Sequence, residues 1–305
     1  MNNTILGLHH ITAISREPLR NYRFYTRALG LRLVLQTVAH NDPSTLRLYY
    51  GDENASPGSI VSFLILPRIH HGYPGAGVAK GLSFRVASGS SLHWDSEMKS
   101  KGVPFVNRIV KFGEECLEVK DPDGLAFELT GFGDTPAADH GASTKVQRLD
   151  SITLGIKSVT AVSDLLADIF GYRFSGREGN RHRFQTAVPG AESKIDLLEI
   201  SKLQKYEIGG GNIVRIAFRA STPEALTELR EKIAAKGFNP TAIIDQQYYR
   251  SFSFNGPDEI FIKVATDLPG FAAGNSNKPE DEIALPALYE PRRAEIESAL
   301  LTKLS

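Results

Sequence analysis

The sequence predicts an α+β fold of four β-α-β-β-β modules. Three observations carry that reading: four opening strands alternate in hydropathy, four helices end at regularly spaced glycines, and four similar strands close the units. The opening strands read LHHITAI (8–14), GLSFRVA (81–87), DSITLGI (150–156) and VRIAFRA (214–220). Each has the two-residue period of a sheet with one buried face. The helices that follow are expected to stop at Gly30, Gly102, Gly171 and Gly237, at intervals of 72, 69 and 66 residues. Glycine suits a helix end because it adopts the left-handed conformation without strain. The fourth helix carries a start signal in Ser221-Thr222-Pro223-Glu224, with capping-box spacing from Ser221 to Glu224 and Pro223 near the first turn. Leu226, Leu229 and Ile233 then form its apolar stripe.

The units close with SIVSFLIL (59–66), GLAFELTG (124–131), KIDLLEI (194–200) and EIFIKVA (259–265). Two of these follow turn sequences, DPDG (121–124) and NGPDE (255–259). A period near 70 residues reads as duplication. The expected organisation is two paired-module domains, 1–145 and 146–305, with helices outside and concave sheets inside. A final helix is expected over 288–304, packed on this body.

Composition excludes several classes of function. Lys plus Arg and Asp plus Glu both number 35, so the formal charge is zero. A nucleic-acid binder needs an excess of cations, and an anionic membrane surface also has nothing to attract it. Hydrophobic residues make up 41% of the chain, enough for a substantial core. A single cysteine, Cys116, rules out an internal disulfide framework or a multi-cysteine zinc site. The apolar run at 60–66 is far shorter than the roughly 20 residues of a membrane span. The opening MNNTILGLHH has no basic segment followed by an apolar run, so a cytoplasmic protein is expected. Oligomeric state is left open, a homo-oligomer being compatible with the sequence.

The stretch from LHHITAI through LRLYYGDENASPGSIV resembles the opening of ring-cleaving dioxygenases of the vicinal oxygen chelate superfamily, the hydroquinone-type enzymes in particular. REGNRHRF (177–184), KIDLLEI, VATDLPGF (264–271) and the EPRRAEIE tail extend the resemblance over nearly the whole chain. It implies the fold just described, with an active cleft between modules one and four. It also implies an Fe(II) or Mn(II) ion held by two histidines and a carboxylate. His10 occupies the first ligand position. The second, in a segment that reads HHIAF in the family, is Arg215 in VRIAF. The third, the Glu of a family FEIATD segment, is Lys263 in IKVATD.

A guanidinium and an ammonium are donors without a lone pair, so neither coordinates a cation. Neighbouring positions differ too. Gln246 and Ser253 stand where the family has Arg and Tyr, and Arg47 stands where it has His, while His9 and Thr12 match. A relocated metal site would have to draw on Glu128, or on His70 and His71 in a loop, since the matching opening strands offer only Ser83 and Thr153. No cofactor is therefore expected, the alternative being Fe²⁺ or Mn²⁺ on substitute ligands.

Without the resemblance, Arg215 and Lys263 read as solvent-facing strand residues or as halves of salt bridges. With it, His10, Arg215 and Lys263 converge as the candidate catalytic set. His9, Thr12, Arg47, Gln246, Tyr248, Tyr249 and Ser253 are then the candidate substrate contacts. Uncompensated cations in a cleft call for water, a carboxylate partner or an anionic ligand such as a carboxylate, phosphate or phenolate; the planar fork of Arg suits a carboxylate, while Lys acts as a point charge. The expected ligand is an anionic or phenolic small molecule. His10 is a candidate general base near neutral pH, and Lys263, with a depressed pKa, a candidate nucleophile. Cys116 is read as structural, and Arg181, His182 and Arg183 as structural or inter-module.

Overall fold

The computed structural model describes residues 4–73, 75, 77–87, 90–103, 105–131, 145–186, 188, 192–200, 206–271 and 282–304. Alternating sequence becomes strand throughout. Module one holds β1 (Ile5–Ser15), α1 (Pro18–Arg23, continued as a π-helix over Phe24–Ala28), β2 (Arg32–Ala39), β3 (Asp42–Gly51) and β4 (Ile60–Ile65). Module two holds β5 (Val78–Arg85), α2 (Ser91–Ser100), β6 (Phe105–Lys111), β7 (Glu114–Lys120) and β8 (Ala126–Thr130). Module three holds β9 (Arg148–Ile156), α3 (Val159–Asp164, again continued as a π-helix), β10 (Arg173–Glu178), β11 (Arg181–Gln185) and β12 (Lys194–Glu199). Module four holds β13 (Ile213–Ala220), α4 (Pro223–Ala235), β14 (Ile244–Asp245), β15 (Tyr249–Asn255) and β16 (Phe261–Pro269), and α5 (Arg293–Leu304) ends the chain.

The four helix-closing glycines all have positive φ, between +63° and +90°. The start of α4 differs by one residue from its sequence signal. Thr222, not Ser221, is the cap, accepting the Ala225 N–H at 3.0 Å. Pro223 at the first helical position leaves Thr222 as the extended residue before the helix, so its hydroxyl is the one in reach. Leu226, Leu229 and Ile233 are buried, as the stripe predicts.

Strand pairing does not follow the sequence halves 1–145 and 146–305. β1 pairs antiparallel with β13, and β5 pairs antiparallel with β9. Module one therefore shares a sheet with module four, and module two with module three. The two halves join through β5 and β13 at Ala79 and Ile213. Alternating hydropathy identifies a strand's buried face but says nothing about its neighbour, so consecutive modules were the natural pairing to expect.

Register places the polar residues of the one–four half. Thr12 of β1 lies opposite Arg215 of β13 and Ser62 of β4. His10 lies opposite Ala217, Ala217 opposite Lys263, and Lys263 opposite Ser253. A small apolar cluster that includes Tyr49, Tyr248, Tyr249, Ala265 and Phe271 fills the region beside these residues. The C-terminal segment covers module one, where Ala284 N–H donates to Gln36 O and the Tyr289 hydroxyl to His40 O, both at 2.8 Å. Among the described residues, no helix is long and apolar enough to cross a membrane.

Candidate functional site

Consecutive strand residues normally point to opposite faces, yet His9 and His10 touch. A register shift in β1 between Leu8 and His10 re-aims them, and their Nδ1 atoms lie 2.8 Å apart. His9 Nε2 sits 3.1 Å from the Thr266 carbonyl, which can only accept. His9 therefore carries its proton on Nε2, and His10 donates from Nδ1 to His9 Nδ1. That chain leaves a bare lone pair on His10 Nε2, which is fully buried and has no partner among the described residues. Burial holds both rings neutral: His9 is lowered to about 4. His10 falls well below the usual histidine value, with His9, Lys263, Arg47 and Arg215 adding to the effect of burial. His10 is consequently a poor general base at neutral pH, contrary to the role expected of it.

Three cations gather next to it. Arg47 donates from Nη2 to Thr12 Oγ1 at 3.0 Å and to Ser62 Oγ at 3.1 Å, while its Nε has no partner among the described residues. Arg215 likewise has a buried, unpartnered Nε. Lys263 is 5% exposed. Each faces an aromatic ring: Arg47 lies 4.5 Å from the Tyr49 centroid, Arg215 4.9 Å from Phe261, and Lys263 Nζ 5.1 Å from Tyr249. Among the described residues, no carboxylate comes within ion-pair distance of any of the three. A cation–π contact contributes about 0.5–2 kcal/mol, whereas removing an ion from water costs several kcal/mol. The deficit requires an anion or ordered water.

The same crowding of charge shifts the proton affinities of Lys263 and Tyr249. Burial lowers Lys263 to about 8, with the attraction of Tyr249 opposing and the repulsion of Arg215 and Arg47 reinforcing it. Burial works against ionising Tyr249, but Lys263, Arg47 and Arg215 together pull its phenol down to about 8. Tyr249 is thus the group best placed to hold a negative charge among these cations. Of the ten tyrosines, one is expected to form tyrosinate near pH 8 in a near-ultraviolet absorbance titration. That step should be missing in Tyr249→Phe. A wild-type titration with no ionisation before pH 10 would contradict the arrangement.

Arg47, Arg215 and Lys263 line one cavity of about 220 Å³, together with Gln246, Ser253 and Phe261. Comparison with known proteins places this chain in a family. Residues 7–129 match the family described as Glyoxalase/Bleomycin resistance protein/Dioxygenase superfamily. The chain is 33% identical over 307 residues to "Putative ring-cleaving dioxygenase MhqO" of Bacillus subtilis (strain 168), covering 99% of this chain and 97% of that one. This chain belongs to the ring-cleaving dioxygenase family of that superfamily.

A crystal structure named "putative dioxygenase from Bacillus subtilis subsp. subtilis str. 168" shares the fold of this family member. Its TM-score is 0.88 at 32% identity, covering 98% of this chain and 97% of that chain. The chain is also 23% identical over 285 residues to "Chlorohydroquinone/hydroquinone 1,2-dioxygenase" of Sphingobium indicum, covering 88% of both.

Within this family member the other half of the sheet provides an internal contrast. Ser83 and Ser151 hydrogen-bond to each other across β5 and β9. Around them, Arg85 pairs with Asp150 at 2.8 Å, Lys194 with Glu114 at 2.6 Å, and Arg183 with Asp196 at 2.8 Å, while Lys111 pairs with Glu128. Arg183 also meets Glu114 of module two at 3.2 Å, the inter-module role expected for its segment. Cations there are matched by carboxylates, so the unmatched set in the one–four half is not a general property of the scaffold.

The sequence-derived residues divide into three groups. Arg47, Arg215, Lys263, Gln246 and Ser253 line the cavity, and Thr12 anchors Arg47. His9, His10 and Tyr249 pack beside it, His10 lying 5.2 Å from Tyr249 between ring centroids. Tyr248 is set apart, stacked on Phe271 at 5.8 Å, its buried hydroxyl without a partner among the described residues. Arg219, on the same strand as Arg215, does form a salt bridge, to Asp267 at 2.7 Å. Glu128 is taken by Lys111, and His70 lies 3.3 Å from Glu207. Cys116 is buried, its thiol pushed up to about 12 mainly by burial, in keeping with a structural role. Sequence reasoning missed Tyr49, Ser62 and Phe261. The first was within reach, since Tyr49 lies two residues from Arg47 on the same strand face.

Proposed function

We propose that this family member binds an anionic, aromatic small molecule in the cavity of Arg47, Arg215 and Lys263, without a metal ion. One observation carries the reading: three buried or half-buried cations share a small cavity in which no described carboxylate compensates them. The ring component comes from the family, whose named members act on ring compounds such as hydroquinone. A cavity of about 220 Å³ suffices for one ring, since roughly 150 Å³ holds benzene. The donor set does not suit a divalent ion. His10 Nε2 has a free lone pair, but Arg215 has none, and Lys263 at about 8 is mostly ammonium at neutral pH. Among the described residues, no group of three His, Cys, Asp or Glu side chains is placed to hold a metal.

On this reading Arg215 and Arg47 grip the anionic group, Lys263 adds a point charge, and Gln246 and Ser253 offer hydrogen bonds. Tyr249, exchanging its proton near pH 8, is the group suited to general acid–base work there. The partner is a small molecule and not nucleic acid, consistent with zero formal charge, and the protein works in the cytoplasm. Calorimetric titration at pH 7 should show benzoate and 4-hydroxybenzoate binding and benzamide failing to bind. Arg215→Gln should weaken the two anions by roughly 10–100-fold, the worth of a charge-assisted hydrogen bond. Family membership favours a second reading, an Fe(II)- or Mn(II)-dependent ring-cleaving dioxygenase with substitute ligands. Stoichiometric metal in the purified protein, with oxygen-dependent turnover of hydroquinone or catechol, would establish the second and overturn the first.

A further inference from the structure

Arg215 and Phe261 line two cavities, not one. Beyond the polar cavity lies a second of about 250 Å³, whose walls include Val78, Ile208, Ile213 and Ile260. The two residues shared by both linings form a cation–π pair, with the Arg215 guanidinium 4.9 Å from the Phe261 centroid. No described carboxylate anchors Arg215 from either side. Among the described residues, the charged ones that line the second cavity, apart from Arg215, are Asp258 and Glu259. Asp258 already accepts the Lys157 N–H at 2.7 Å. The two cavities therefore differ in chemistry: one carries surplus positive charge and polar donors, the other an aliphatic wall and negative charge.

We infer that the ligand is two-lobed, with an anionic aromatic head in the polar cavity and an apolar substituent reaching past Arg215 into the second. This deepens the anion-binding reading and rests on it. The acidic residues disfavour the anionic end in the aliphatic cavity, which fixes the orientation. Arg215 then serves both lobes, its charged end holding the head and its stem, with Phe261, flanking the substituent. A volume of about 250 Å³ accepts a short alkyl or aryl group, given that roughly 150 Å³ holds benzene. Unsubstituted rings would leave that aliphatic surface without a partner.

The test compares benzoate with 3-propylbenzoate and 4-propylbenzoate by calorimetric titration of the full chain at pH 7. The tighter of the two propyl compounds should bind roughly 10–50-fold more strongly than benzoate, since two methylenes and a methyl leave water. Ile208→Trp should reduce that advantage below about threefold with benzoate affinity unchanged. Ile208 is 49% exposed, so this substitution leaves the core intact. Val78→Phe, filling the cavity from another wall, should do the same. Equal wild-type affinities for benzoate and both propyl compounds would overturn the inference and leave the anion-binding reading standing. So would an advantage that survives both substitutions. If benzoate itself fails to bind, the anion-binding reading falls first and this one with it.

Discussion

Arg215→His combined with Lys263→Glu is expected to turn the cavity into a divalent-cation site. His10 already presents a buried Nε2 lone pair with no partner among the described residues, oriented by the His9–Thr266 chain. Its strand pairs directly with β13, and β13 with β16, through His10, Ala217 and Lys263. The double substitution adds an imidazole and a carboxylate, making the donor set that Fe(II) and Mn(II) prefer. It also removes two positive charges that would repel the ion. Manganese affinity, measured by calorimetry or electron paramagnetic resonance, should rise from undetectable to a dissociation constant on the order of micromolar, about −8 kcal/mol. Each single substitution should fall well short, because two donors opposed by a remaining cation hold an ion poorly. A folded double variant that binds no manganese would show that the three side chains do not converge on one point.

Lys263→Met should stabilise the protein and weaken its ligand binding at the same time. The sign follows from the direction in which burial shifts Lys263. Lys263 is lowered from 10.5 to about 8 in the folded protein, so below pH 8 the native state carries a buried charge that it disfavours. Between pH 8 and 10.5 the unfolded chain binds more protons than the folded one, and wild-type stability rises with pH. At pH 7 the penalty is on the order of 3 kcal/mol, the opposing attraction of Tyr249 already included. Removing the charge should raise the calorimetric melting temperature of the variant by several degrees at pH 7. The difference should shrink as pH rises towards 10.5. Benzoate affinity should fall at least tenfold in the same variant. A melting temperature that drops at pH 7 would mean Lys263 is compensated, and the unmatched charge that motivates the ligand would not exist. Stability sacrificed to a binding site is the usual signature of a functional residue.

The amino-acid sequence was enough to establish the module plan, because strand alternation and helix-ending glycines are local requirements. A positive φ at Gly30 or Gly237 is set by the residue and its neighbours, whatever packs on them later. The same holds for the chemistry of Arg215 and Lys263, since no fold gives a guanidinium a lone pair. Proximity and compensation were decided by the tertiary structure. Arg215 and Arg219 look alike on one strand, yet Asp267 reaches only Arg219. Arg183 and Arg47 are both buried arginines, one answered by Asp196 and the other by hydroxyls and a ring. Pairing of module one with module four, and the aliphatic cavity behind Phe261, likewise depend on contacts between segments far apart in the chain. Charge is a property of a residue, but whether it is balanced is a property of distances, and those exist only once the chain has folded.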